Sequence, residues 1–151
     1  MIVWKAGIRL LASIFLTTTN LPEFQRTVVA PNVAKYSAAL ISILDKAPDN
    51  ELRVLCLDTL TQIVPLYPTL HRQLANKLSS TSLNLLNGSP VGTSASVVSS
   101  ASKLHACLHT TGGKVGSAGL WRKSVDDTIS FCFTAAAALR TTSRSEGSYK
   151  F

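Results

Sequence analysis

The chain has 151 residues, of which 46% are hydrophobic, 15% charged and only 7% aromatic. That length and apolar content suit one packed domain and exclude a disordered segment, and the core has to come mainly from Leu, Ile, Val and Ala. Fifteen Lys and Arg against eight Asp and Glu give a net charge of +7, which favours nucleic acid, anionic lipid or acidic proteins without choosing among them.

The chain opens on a helical stripe of Trp4, Ile8, Leu11 and Phe15, with Val3, Leu10 and Ile14 beside it. Lys5 and Arg9 precede the apolar run 10–16, the outline of a signal peptide. The run is short, however, no small-x-small site follows cleanly, and apolar residues also precede the charges. No stretch reaches the ~18 uninterrupted apolar residues of a membrane span, so the expectation is a soluble chain. Apolar patterning begins directly after Met1 without a polar capping turn, which reads as a piece of a longer repeat array or a truncated start.

"TTTNLPEF" breaks the first helix and Pro22 begins a short second one. Pro31 starts another, whose inner face carries Val33, Tyr36, Leu40, Ile43 and Leu44, and "DKAPDN" ends it. Asp49 is the expected N-cap of the next helix. There Leu52, Leu55, Cys56, Leu60, Ile63 and Val64 share one face, with Val54 and Leu57 on a second strip. A helix apolar on more than one side has neighbours on more than one side. Pro65 and Pro68 bracket the following corner, and Leu70, Leu74, Leu78 and Leu85 line the returning helix. After the loop "NGSPVGTS", helical spacing resumes at Val97, Ala101, Leu104 and Leu108. "TTGGKVGSAG" reads as a flexible loop leading to a last long helix with Trp121, Val125, Ile129, Cys132, Ala136 and Leu139 inside.

This pattern predicts an all-α chain of three helical pairs, roughly 1–46, 49–87 and 93–140, followed by a flexible polar tail, 141–151. Pairs of about 40 residues are what an α-solenoid of HEAT- or armadillo-like units gives, and two-sided helices favour such stacking over a closed bundle. Cys56, Cys107 and Cys132 are odd in number, lack a C-x-x-C pair and lie in apolar helical patterns, as buried thiols in a reducing compartment do.

The chemistry-bearing residues do not assemble into a catalytic pattern. His105 and His109 have the i,i+4 spacing that can share a metal, but Ala106 replaces the Glu of the zincin motif, so they read as a polar edge. In "GGKVGS" Lys114 is followed by Val115 rather than Ser or Thr, and no strand precedes it, so a phosphate loop is not expected. Asp126 and Asp127 are adjacent and diverge on a helix. The expectation is a protein that is not an enzyme and needs no cofactor or metal. Lys114, Arg122 and Lys123 cluster around the start of the last helix, and Arg140 and Arg144 extend its far end. They form either a solvated basic face or a contact for phosphate backbone or an acidic partner.

"LPEFQRTVVAPNVAKYSAAL" (21–40), "ELRVLCLDTLTQIVPLYPTLHRQL" (51–74) and "LHTTGGKVGSAGLWRKSVDDTI" (108–129), with its Trp121-Arg122 pair, resemble the N-terminal helical-repeat region of the Rix-one/PELP family of pre-rRNA-processing proteins. The start near Met1 and the small, polar segment 88–102 depart from the family pattern. The resemblance implies a non-catalytic scaffold subunit of a Rix-type complex of the nucleolus and nucleoplasm. It implies as partners a WD-repeat subunit, a second helical-repeat subunit, a midasin-type AAA ATPase and the precursor of the large ribosomal subunit; rRNA is a possible further contact through the basic residues, and no membrane partner is expected from the apolar run lengths. On the same architecture, the alternative is a generic adaptor in nuclear transport or chromatin regulation.

Overall fold

The structure, a computed structural model, describes residues 2–46, 49–87 and 94–149, with 138, 139 and 141–149 placed by backbone alone. All regular elements among the described residues are helical. Helix α1 (Ile2–Thr17) buries Ile8, Ala12 and Phe15. Trp4 and Leu11, expected inside, are exposed together with Ile2, Val3 and Leu10. So many apolar positions cover most of the helix surface, and its neighbours occupy only one side of it. Two tyrosine hydroxyls fix α1 in place: Tyr36 donates to the Ile8 carbonyl at 2.7 Å and Tyr67 to the Phe15 carbonyl at 2.6 Å.

Pro22 sits at the start of α2 (Pro22–Phe24), as expected. Pro31 does not start a new helix. A π-helical turn (Gln25–Val29) joins α2 to α3 (Ala30–Lys46), and the three run as one rod, Pro22–Lys46. Proline has no N–H for the carbonyl four residues back and its ring crowds that turn. The π-turn relieves both problems. Ala30 N–H bonds Gln25 O five residues back, and the Asn32 side chain donates to Val28 O at 2.7 Å. By length and composition alone the rod could cross a membrane, which the two separate helices expected from sequence could not. Its face of Val33, Ser37, Leu40, Ile41 and Leu44 is buried inside the protein.

Helix α4 (Asn50–Leu66) is capped by Asp49, whose carboxylate accepts from Glu51 N–H at 3.2 Å. Lys5 of α1 reaches the same corner, 3.2 Å from Asp49 and 2.7 Å from Glu51. Leu52, Cys56, Leu57, Leu60, Ile63 and Val64 are all buried. The two apolar strips are explained by α1, α3 and α6, which all pack on this helix. Pro65 lies inside its last turn and the corner falls at Tyr67. Pro68 opens a 3-10 stretch (Pro68–Leu74), and only then does α5 (Ala75–Leu86) begin, burying Leu78 and Leu85.

Helix α6 (Ala95–Thr110), capped by Ser94, buries Val97, Ala101, Leu104 and Leu108 as the spacing predicts. A short helix α7 (Gly112–Val115) replaces the expected loop, and α8 (Ala118–Tyr149) follows. The buried face of α8 is Trp121 and Ser124, with Thr128 half-buried, while Val125, Ile129, Cys132 and Phe133 are exposed. The apolar stripe expected inside is therefore turned outward by about one residue. Of the three thiols Cys56 is buried, Cys107 half-buried and Cys132 exposed, and burial pushes the Cys56 thiol up to about 12. The α8 backbone is helical throughout 141–149, inside the stretch 141–151 expected as a flexible tail. Leu139, most of the "NGSPVGTS" loop and residues 150–151 fall outside the described residues or side chains.

Among the long helices, next-but-one neighbours touch: α1 with α4, α4 with α6, α3 with α5, and α5 with α8. Successive helices pack as α3 on α4 and α5 on α6. The core runs continuously from Ile8 through Leu40, Leu60 and Leu104 to Trp121.

Candidate functional site

Three of the five basic residues singled out by sequence, Lys114, Arg122 and Lys123, lie where α7 meets α8, and glycines make that corner possible. A Cβ on Gly112 would stand 2.7 Å from Cδ1 of Trp121, and one on Gly116 would stand 2.8 Å from Leu120 and 3.0 Å from the indole nitrogen. "GGKVGSAG" is thus a packing device that lets α7 lie against a buried tryptophan, rather than an open loop. It holds Lys114 on the surface, and Arg72 of the 3-10 stretch donates from Nε to the Lys114 carbonyl at 3.3 Å.

Lys114, Arg122, Lys123 and Arg140 are all exposed. Among the described residues the ion pairs are those of Lys5 and Arg26, so these four cations have no acidic partner. Arg122 and Lys123 sit in the first turns of α8, which hold no acid in the opening turn. The corner brings Lys114 together with Arg72, while Arg140 lies about 26 Å further along the helix axis at 1.5 Å per residue. The side chain of Arg144 is outside the described ones. Residues 70–151 carry nine of the fifteen Lys and Arg but three of the eight Asp and Glu, so six of the seven net charges belong to that half. Sequence reading passed over Arg72, because its place in this cluster depends on the 3-10 stretch meeting α7.

Beneath the basic corner lies a buried polar network that joins α5, α6 and α8. His105 Nδ1 is 2.8 Å from Ser82 Oγ, and its Nε2 is 2.7 Å from Thr128 Oγ1. Thr128 Oγ1 is also 2.6 Å from the Ser124 carbonyl and Ser82 Oγ 3.0 Å from the Ser79 carbonyl, so each hydroxyl beside His105 has a backbone carbonyl as a second partner. His109 Nε2 is 3.0 Å from Ser124 Oγ, which is 2.9 Å from Ser79 Oγ. The i,i+4 histidines are a hydrogen-bonded crosspiece between helices. No set of three His, Cys, Asp or Glu side chains able to hold a metal occurs among the described residues. Ser82–His105 and Ser124–His109 have the spacing of nucleophile and base, but both serines are buried and no carboxylate orients either ring. Ser79 and Ser82 were the signal available in sequence: two hydroxyls at i,i+3 on the core side of an otherwise leucine-lined helix.

A third histidine is used in the same way. His71 is fully buried, gives Nδ1–H to the Tyr67 carbonyl at 2.8 Å, and so presents Nε2 to the Ser37 hydroxyl at 2.7 Å. Burial holds His71, His105 and His109 below the ordinary value of 6.5, and for His105 the neighbouring His109 adds to the effect. Unfolded, these rings take up protons at a higher pH than they do when folded. Stability is therefore full above pH 6.5 and is lost as pH falls through the lower folded values. Asp49 acts in a separate window. Its hydrogen bond to Lys5 holds it below 3.8, so its contribution disappears only in stronger acid. The melting temperature is expected to be level above pH 7 and to fall as pH drops below about 6.5. A flat profile over that range, measured by circular dichroism, would mean the histidines are not buried neutral.

Two apolar grooves complete the surface. One, between α1 and α3, is lined by Val3, Trp4, Leu11 and Ile43, and the other, between α6 and α8, by Ala106, Val125, Ile129 and Cys132.

The family model for RIX1, described as rRNA processing/ribosome biogenesis, matches residues 1–92, which run from α1 through α5. The stretches at 21–40 and 51–74 lie inside that match, and the one at 108–129 lies beyond it. No curated protein and no solved structure matches the chain.

Proposed function

The chain belongs to the RIX1 family of rRNA processing and ribosome biogenesis, and from that premise we propose that it is a non-catalytic scaffold in maturation of the large ribosomal subunit. The family match over 92 of 151 residues carries this reading. The next-but-one contacts between helices support an α-solenoid of HEAT- or armadillo-like units, because stacked helical pairs generate that neighbour pattern. Work of this kind is done by shape. Exposed apolar faces on α1 and α8 and the basic corner at Lys114 offer surfaces to partner subunits and to RNA, and the buried histidines and serines keep the helices in register. The site of action is the nucleus, in nucleolus and nucleoplasm.

The partners are a WD-repeat subunit and a second helical-repeat subunit of a Rix-type complex, together with a midasin-type AAA ATPase and the large-subunit precursor. Affinity purification of the tagged chain is expected to recover the WD-repeat subunit. Recovery of transport receptors or chromatin factors in its place would favour a general helical adaptor and overturn the assignment to ribosome assembly.

A further inference from the structure

We propose that the groove between α5 and α8, lined by polar side chains together with Leu83 and Leu120, binds single-stranded RNA, an inference that rests on the proposed role in rRNA maturation. The groove encloses about 340 Å³. Its floor is the Ser79–Ser124 hydrogen bond, 2.9 Å long. Asn76, Ser80 and Asn84 line the α5 wall at four-residue spacing, and Lys123 and Asp127 face them from α8 at the same spacing. One turn before Asn76 stands Arg72, tied to the backbone of Lys114, so the cations collect at one end of the groove.

This combination fits a nucleotide chain better than an acidic peptide. Arg72 and Lys114 beyond one end of the groove and Lys123 on its α8 wall have no acidic partner among the described residues and are open to phosphates. Asn76 and Asn84 each offer both donors and an acceptor, the pattern that base edges require. Lys123 and Asp127 lie one turn apart yet form no ion pair. The Asp127 carboxylate can only accept. It can accept a hydrogen bond from a ribose 2′-hydroxyl, a donor that RNA has and DNA and an acidic side chain lack. The groove has no aromatic side chain to stack on a base, so binding should be tolerant of sequence and strongly dependent on salt.

The test uses the full chain and a fluorescent single-stranded RNA of mixed sequence, about 12 nucleotides long. Anisotropy is read at salt concentrations from about 50 to 200 mM. Lys123→Glu and Arg72→Glu should each weaken binding by about tenfold or more, and Lys123→Ala should lower the salt slope by about one. Lys35→Glu, on the exposed face of α3, changes net charge equally and should alter binding less than about twofold. Asn76→Ala removes base contacts without touching charge, and Asp127→Asn should narrow the preference for RNA over DNA of the same sequence. Circular dichroism confirms that each variant is folded. Equal losses in Lys35→Glu and Lys123→Glu would reduce the effect to net charge and overturn the site. So would absence of RNA binding with capture of a polyglutamate peptide, which would assign the groove to an acidic protein. Groove variants that bind RNA like the parent chain, in a protein that still recovers large-subunit precursors from cells, would sink this inference alone. A parent chain that recovers no precursor would sink the underlying functional reading instead.

Discussion

Leu60→Asp is expected to abolish the cooperative unfolding transition. Leu60 is wholly buried in α4, in the same core as Leu40, Leu44, Leu104 and Leu108, so its surroundings come from α3 and α6 at once. Truncating a leucine in such a place costs about 2–5 kcal/mol. A carboxylate with no partner adds several kcal/mol of desolvation, and the total rivals the roughly 5–15 kcal/mol that holds a domain together. Gln62→Asp, two residues on and exposed, places the same charge in water and should leave the melting curve almost unmoved. If Leu60→Asp melts like the parent chain, α4 is not the central helix of the stack.

The second large effect concerns two adjacent glycines with opposite expectations. Gly113→Ala meets nothing within 4 Å and lies in a helix, so it should be neutral or gain up to about 1 kcal/mol from helix propensity. Gly112→Ala places a methyl 2.7 Å from the ring of Trp121, which is 93% buried and packed edge-on against His109 at 5.5 Å. Overpacking of this kind costs about 1–3 kcal/mol, or a fall of roughly 2–4 °C in Tm per kcal/mol for a chain of this size. Trp121→Ala alone should cost about 3–5 kcal/mol, and the double variant should be better than additive by more than about 0.5 kcal/mol, because the clash is gone. Thermal melts of the four proteins read the whole cycle. Equal behaviour of Gly112→Ala and Gly113→Ala would show that α7 does not lie on the tryptophan.

Helices α4 and α6 were legible because their apolar residues recur at three and four and the faces so defined are the ones their neighbours cover. Helices α1 and α8 misled for the opposite reason. Each has more apolar positions than its neighbours cover, and periodicity cannot say which strip meets the core. In α8 the answer depends on α6: His105 and His109 need hydroxyls opposite them, so Ser124 and Thr128 turn inward and Val125 and Ile129 turn out. Proline spacing marked Pro31 as a start because a π-turn five residues long leaves no trace in composition. The glycines around Lys114 looked like slack, and only contact with Trp121 reveals them as tight packing. Of the basic set, sequence named Lys114, Arg122 and Lys123, while Arg72 and the asparagines of the groove required the fold to bring α5 beside α8.

The decisive measurement is sequencing of the RNA that accompanies the tagged, intact chain when it is purified from cells. A scaffold in large-subunit maturation should carry rRNA precursors that still contain the internal spacer, enriched over mature rRNA. Material containing only mature rRNA, or none above an untagged control, would contradict the account.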